Sequence, residues 1–310
     1  MLVVLIILDG WGIAENNDHN AIFVAKTKEF DKLLKFFPSY SLIASGKSVG
    51  YAPNAHGNSE QGHLILGLGR TIDKINSEQR NIETKKHRNK ETEKLFKNSL
   101  SEIISVEKLK QLYISETEKF INVSYFFSGK KDAPPPAADW VNIPSPVSPS
   151  FSKMPEMSAK EISKKVVSEI MADKYNFIVV NFANADMVAH EGDLAATVKA
   201  IQTVDSCLGE IVEIVLAKDG AVLITSDHGN AEEIRPLTEG EIIKPHTANP
   251  VPLIIAGAQK PPYSPFKKGG SEGGFSEPFA KKGTLADVAP TILKLFGIKK
   301  PRQMTGKSLV

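Results

Sequence analysis

Two pairs of ligand-type side chains stand where apolar stretches of this chain end. Asp227 and His228 lie in Thr225-Ser226-Asp227-His228-Gly229-Asn230, and Asp186 and His190 follow the run Phe177-Ile178-Val179-Val180-Asn181. An isolated Asp-His dipeptide is ordinarily a turn or a helix cap. Two carboxylate-imidazole pairs in one chain are enough to begin a two-metal site. Asp186 and His190 are four apart, so on a helical turn both project from one face toward one ion. Asp227 and His228 are adjacent, which suits ligands splayed from a loop.

Three other positions offer to complete the site. Asp9 follows the first apolar run and is succeeded by Gly10-Trp11-Gly12, which lets the backbone turn sharply beside the carboxylate. Ser59 sits in the polar, Gly-bracketed turn Gly57-Asn58-Ser59-Glu60-Gln61-Gly62-His63, before the helix-compatible run Leu64 to Leu68. A serine there is at or near a helix N-terminus, where backbone N–H groups hold anions. His246 lies in Pro245-His246-Thr247-Ala248-Asn249-Pro250, just ahead of a strand-like run. Three Asp, three His and one Ser thus supply ligands for two divalent ions with a nucleophile between them. Mixed carboxylate and imidazole ligation suits Mn²⁺ or Zn²⁺ better than Ca²⁺, and no thiolate competes.

The elements that must hold these residues alternate along the chain. Val3 to Leu8 reads as a strand and Asn20 to Phe36 as a helix ended by Pro38. Leu112 to Ile114, the run 121 to 127, a helix from Ser158 to Met171 and the strand Phe177 to Asn181 follow. A long helical period spans Asp193 to Leu216, then come strands at Ala221 to Thr225 and Pro252 to Ala256 and a closing helix at Thr284 to Phe296. Such alternation predicts an α/β fold with a largely parallel central sheet sandwiched by helices. Functional residues gather beyond the carboxyl ends of such strands, where Asp9, Asp186 and Asp227 all fall. Three segments break the pattern: the charged stretch 73–108, read as a solvated helical excursion or linker, a Pro-rich covering loop from Pro134 to Pro155, and a Gly-rich loop from Gly269 to Gly283.

Composition bounds the function classes. With 310 residues, 41% hydrophobic and 24% charged, the chain is neither disordered nor a membrane protein in type. A net charge of +2 leaves no footprint for nucleic acid, and arginine occurs only at 70, 80, 88, 235 and 302. The run Leu2 to Leu8 lacks a basic flank and a cleavage site and reads as a buried parallel strand. No stretch is long enough to span a bilayer. The single Cys207 reads as a small buried hydrophobe, and the reducing cytoplasm is the expected compartment.

At the level of whole segments the chain resembles the cofactor-independent phosphoglycerate mutases of the alkaline phosphatase superfamily. The matching segments are Ile7-Leu8-Asp9-Gly10-Trp11-Gly12, Gly57 to His63, Glu116-Thr117-Glu118-Lys119, Phe126-Phe127-Ser128-Gly129 and Asn184-Ala185-Asp186-Met187-Val188-Ala189-His190. They continue through Asp227 to Asn230, His246 to Pro252 and Met304-Thr305-Gly306-Lys307-Ser308-Leu309, covering 1–72 and 107–310 in order. The resemblance implies that Ser59 is the nucleophile that becomes phosphoserine. It implies that Asp9, Ser59, Asp227 and His228 hold one metal, and Asp186, His190 and His246 the other, usually Mn²⁺, with Zn²⁺ and Mg²⁺ as alternatives. It assigns Lys119 to neutralising the phosphoryl group in flight. The implied substrate is a small phosphorylated acid, phosphoglycerate, acted on by a cytoplasmic monomer in glycolysis.

The family carries an inserted substrate-binding domain between the Ser59 and Lys119 segments, and here the short charged stretch 73–108 takes its place. About thirty-five residues cannot build a domain with its own core. The expectation is a single phosphotransferase domain over 1–310 that transfers a phosphoryl group to Ser59 but is weak as a mutase and leaks as a phosphatase. The alternatives are a metal-dependent phosphomonoesterase, a catalytically silent metal-bound scaffold, or a shortened form of a longer chain. Gln61, where the family commonly has an apolar residue, touches the nucleophile turn without removing a ligand.

Overall fold

The computed structural model describes residues 1–71, 96–240, 243–257 and 278–310. Among these residues eight strands form one sheet: β1 (Val3–Leu8), β2 (Ser39–Ile43), β3 (Gln111–Glu116), β4 (Ala138–Ile143), β5 (Phe177–Phe182), β6 (Ala221–Thr225), β7 (Val251–Ala256) and β8 (Lys281–Thr284). Their order is β4-β3-β5-β1-β6-β7-β2-β8. From β4 to β6 every neighbouring pair is parallel. β7 runs antiparallel to both β6 and β2, and β8 is parallel to β2.

Central strands are apolar on both faces because both are covered. In β1 alternate residues enter opposite cores: Val3, Leu5 and Ile7 on one side, and Val4, Ile6 and Leu8 on the other. The first core is closed by helices Ser59–Leu68, Leu100–Val106 and Val288–Leu295. The second is closed by Ala21–Ala25, Lys28–Phe36, Ala159–Met171 and Leu194–Ala217. The sheet sandwiched by helices is therefore as expected.

Four expectations are corrected. The helix over Asn20 to Phe36 is two helices, because Asn20 caps the first and the chain leaves it at Lys26 with φ 52°. The second starts where the Asp205 carboxylate accepts the Glu29 and Phe30 N–H groups (3.1 and 2.8 Å), a cap from a helix far away in sequence. The Pro-rich covering loop contains strand β4, which pairs with β3 alone and so carries no strong apolar run. Of the charged stretch, residues 73–95 lie outside the described residues, but Leu100–Val106 is not solvated. It is a boxed helix, with Ser99 and Glu102 capping each other, that buries Leu100 and Ile104 fully. Of the Gly-rich loop, residues 269–277 lie outside the described residues, and its end forms β8. The run 121–127 contributes a π-helical turn at Asn122–Phe126, packed through Val123 and Phe127 into the first core.

Candidate metal centre and nucleophile

The neighbouring strands β3, β5, β1 and β6 end at one edge of the sheet, and each delivers a polar side chain there. Asp9 follows β1 directly, and Asp186 lies in the short helix Asn184–Ala189 after β5. Asp227 and His228 leave β6, and Lys119 lies in the helix Thr117–Ile121 after β3. Because β7 is reversed, its beginning lies at the same edge, which brings in His246 from the segment before Val251. Ser59 opens the helix Ser59–Leu68, whose N-cap Asn58 accepts the Gln61 N–H at 3.0 Å.

The side chains converge. The Lys119 ammonium donates to Ser59 Oγ at 2.7 Å, Asp9 Oδ1 at 2.8 Å and Asp186 Oδ2 at 2.5 Å. Ser59 Oγ also lies 2.9 Å from His228 Nε2 and 3.4 Å from Asp9 Oδ1. All eight residues expected at the site are thereby brought together. Ligand atoms of Asp186, His228 and His246 fall within 4.8 Å of one another, as do those of Asp9, His63 and Asp227. His228 lies where both groups meet.

The donor set fits divalent metal ions. His190 Nδ1 is 2.6 Å from the Lys244 carbonyl and His246 Nδ1 is 2.9 Å from the Gly57 carbonyl. A carbonyl only accepts, so each Nδ1 carries the proton and each Nε2 of the neutral ring offers a lone pair. Those two lone pairs face each other at 3.1 Å, each 3.4 Å from Asp186 Oδ1. Imidazoles oriented through Nδ1, with Nε2 converging beside a carboxylate, form the arrangement of a ligand set. Asp227 Oδ2 is fully buried and accepts no hydrogen bond among the described residues. His63 Nδ1 lies 3.1 Å from it, but that single proton goes to the Ser59 carbonyl at 2.8 Å.

Electrostatics follow from burial of these charges. Burial would lower the Lys119 pKa, but the carboxylates of Asp186, Asp9 and Asp227 outweigh it and hold the ammonium above its ordinary range. Burial raises the Asp9 carboxyl, reinforced by the Asp227 charge and opposed by Lys119. For Asp186 the same burial is overcome chiefly by the Lys119 charge, leaving it well below the usual carboxylate range. Burial lowers the His228 pKa against the pull of Asp227, which favours a neutral ring with a lone pair to offer.

A sequence profile of the Metalloenzyme superfamily matches residues 1–300. The chain belongs to this superfamily. Within it, a 2,3-bisphosphoglycerate-independent phosphoglycerate mutase from Desulforudis audaxviator is 44% identical over 213 residues, 69% of this chain and 38% of that protein. Its counterpart from Clostridium kluyveri is 42% identical over 216 residues, 70% of this chain and 39% of that protein. This chain thus spans well under half the length of these relatives. Among solved structures, Leishmania mexicana phosphoglycerate mutase shares the fold with a TM-score of 0.76 at 17% identity, covering 99% of this chain and 97% of that one. A protein in the alkaline phosphatase superfamily from Vibrio parahaemolyticus shares it at 0.54 and 14% identity, covering 99% and 69%.

In this superfamily member close backbone packing fixes the ligands. Gly10 has φ 73°, and a Cβ there would come within 2.8 Å of Asp186 Cβ. A Cβ on Gly62 would meet the Asp227 carbonyl at 2.6 Å and Asp227 Cβ at 2.8 Å, so the helix that Ser59 opens rests directly on the Asp227 loop. Sequence reasoning missed His63 and Asn181. Asn181 Nδ2 donates to Asp9 Oδ2 at 2.8 Å and lies 3.1 Å from His63 Nε2, joining Asp9 to the His63 ring, which rests beside Asp227. Each left a signal: His63 lies one helical turn after Ser59, and Asn181 is a polar residue inside an apolar strand. Above Ser59, Lys119, His190 and His246 opens a cleft of about 730 Å³, walled by Phe151, Ile121, Ile243, Glu118 and Glu191.

Proposed function

We propose that this chain catalyses metal-dependent phosphoryl transfer through a phosphoserine at Ser59, of the phosphoglycerate mutase type. The observation that carries this reading is the Ser59 hydroxyl held between the Lys119 ammonium at 2.7 Å and His228 Nε2 at 2.9 Å, at a helix N-terminus. Asp9, Ser59, Asp227 and His228 would hold one divalent ion, and Asp186, His190 and His246 a second, with Mn²⁺ favoured by the mixed ligation. When bound, such ions supply a lowered hydroxyl pKa and polarised phosphoryl oxygens. The chain's own residues do the rest. Ser59 Oγ attacks phosphorus as its bond to the substrate oxygen breaks, and Lys119 follows the transferred group, its charge shared with Asp9 and Asp186 until the phosphate arrives. The helix N-terminus offers backbone N–H groups to the same oxygens.

The substrate assigned is phosphoglycerate, interconverted between its 3- and 2-phospho forms in the cytoplasm by a monomer. Residues 73–108 stand in place of a substrate-binding domain in a chain that is one phosphotransferase domain over 1–310. The lining of the cleft holds Glu60, Glu118 and Glu191 but no arginine among the described residues. A site with this lining holds the dephosphorylated acid poorly and admits water, so mutase activity is impaired and phosphate leaks. That lining favours a second reading, a phosphomonoesterase of broad specificity. Incubation of the Mn²⁺-loaded protein with 3-phosphoglycerate, following 2-phosphoglycerate and free phosphate, separates the two. Rapid 2-phosphoglycerate formation without phosphate contradicts the impairment, and absence of both products contradicts phosphoryl transfer itself.

A further inference from the structure

Glu232 belongs to neither ligand group, yet its carboxylate joins the loops that carry both. It is fully buried in the segment after β6. Oε2 accepts the Gly12 N–H at 3.0 Å and the Asn230 N–H at 2.8 Å. Oε1 accepts the Thr247 hydroxyl in a short contact and the Asn249 side-chain amide at 3.1 Å. Gly12 closes the turn after Asp9, Asn230 follows Asp227 and His228, and Thr247 follows His246 directly. One carboxylate therefore ties three strand-end loops, which are also joined by the Gly229–Thr247 bridge, by the Trp11 N–H donating to Ser226 Oγ at 3.0 Å and by the Ile13 N–H donating to the Pro250 carbonyl at 2.8 Å. The packing leaves it no freedom. A Cβ on Gly12 would lie 2.2 Å from the Glu232 carboxyl carbon, and one on Gly229 2.4 Å from Oε1.

We propose that Glu232 is a positioning residue that sets the separation of the two ligand groups, locking His246 in register with Asp9, Asp227 and His228. All four contacts come from donors, so only a group with two acceptor atoms satisfies them. A glutamine keeps the shape but turns an NH₂ toward either two backbone N–H groups or the Thr247 and Asn249 donors. One side of the joint must then open, leaving buried donors unpaired.

The proposal rests on the two-metal reading and is tested on the full chain with Glu232→Gln and Thr247→Val, using Mn²⁺ alone as the probe. Calorimetry reads affinity and stoichiometry, and electron paramagnetic resonance reads the magnetic coupling of neighbouring ions. Wild type is expected to take two coupled Mn²⁺ ions. Glu232→Gln is expected to bind about tenfold more weakly and to lose the coupled signal, as other residues that orient metal ligands do. Thr247→Val removes one donor on the His246 side and is expected to weaken the coupled signal. A merely structural role lowers the melting temperature and leaves coupling untouched. Two ions bound to Glu232→Gln with wild-type affinity and coupling overturn the proposal. Should that variant not fold, an unchanged signal in Thr247→Val overturns it equally. A wild type that binds no Mn²⁺ fails the two-metal reading itself, a separate outcome.

Discussion

The Lys119 ammonium lies 2.7 Å from the Ser59 hydroxyl oxygen while also contacting Asp9 and Asp186, so one cation spans the proposed nucleophile and a carboxylate from each candidate ligand group. On the proposed mechanism this is where a transferring phosphoryl group accumulates charge. Lys119→Met keeps the length and apolar stem but removes the charge. Turnover should fall about 10²- to 10³-fold, and the metal-free variant should melt at a lower temperature because the buried Asp9 and Asp186 carboxylates lose their cation. Steady-state kinetics on a phosphomonoester check this, and near wild-type turnover contradicts the role.

Gly62 lets the Ser59 helix rest on the Asp227 backbone. In Gly62→Ala the added carbon meets backbone atoms at 2.6 Å, so helix and loop must part. A destabilisation of about 1–3 kcal/mol is expected, with weaker Mn²⁺ binding. Denaturant unfolding and metal titration read the two effects, and an unperturbed variant contradicts the close approach.

His63→Leu removes the ring that joins the Ser59 carbonyl to Asn181 beside Asp227 while keeping an apolar volume in a fully buried place. Because His63 orients ligands, Mn²⁺ affinity should fall by about 10- to 100-fold. Calorimetry decides. Unchanged affinity assigns His63 to packing alone.

Glu116 supplies a pH dependence away from the ligands. Burial pushes its carboxyl up from 4.5 to about 7, opposed by hydrogen bonds from Ser145 and the Ser158 N–H and assisted by the charges of Glu118 and Glu161. The folded chain therefore binds more protons than the unfolded chain between those values. The associated stability is fully present below about pH 4.5 and is lost as pH rises through about 7, a swing on the order of 3 kcal/mol. Melting temperature measured against pH for wild type and Glu116→Gln should show wild type losing several degrees relative to the variant across that window. Parallel curves contradict it.

Much of the site was legible because its residues stand at abrupt changes of character. Asp9, Asp186 and Asp227 each follow a strand whose every residue is buried, and such runs announce themselves in sequence. Ser59 was legible from its Gly-bracketed turn ahead of a helical run, and His190 from its place four residues after Asp186. Strands β2, β4 and β8 were not, because their half-exposed faces carry mixed residues and depend on a neighbour for their shape. Asp205 capping Glu29 and Phe30, or Glu232 joining Gly12 to Thr247, pairs groups remote in sequence. Polar residues of this kind look like surface residues until the fold encloses them.

The central claim is that Ser59 takes the phosphoryl group. Mn²⁺-loaded protein mixed with 3-phosphoglycerate, quenched in acid and digested, should yield the peptide bearing Ser59 with one added phosphoryl group by mass spectrometry, absent from Ser59→Ala. A quenched wild type that turns over substrate with Ser59 unmodified at every time sampled, or a Ser59→Ala variant that still transfers phosphate, contradicts the account.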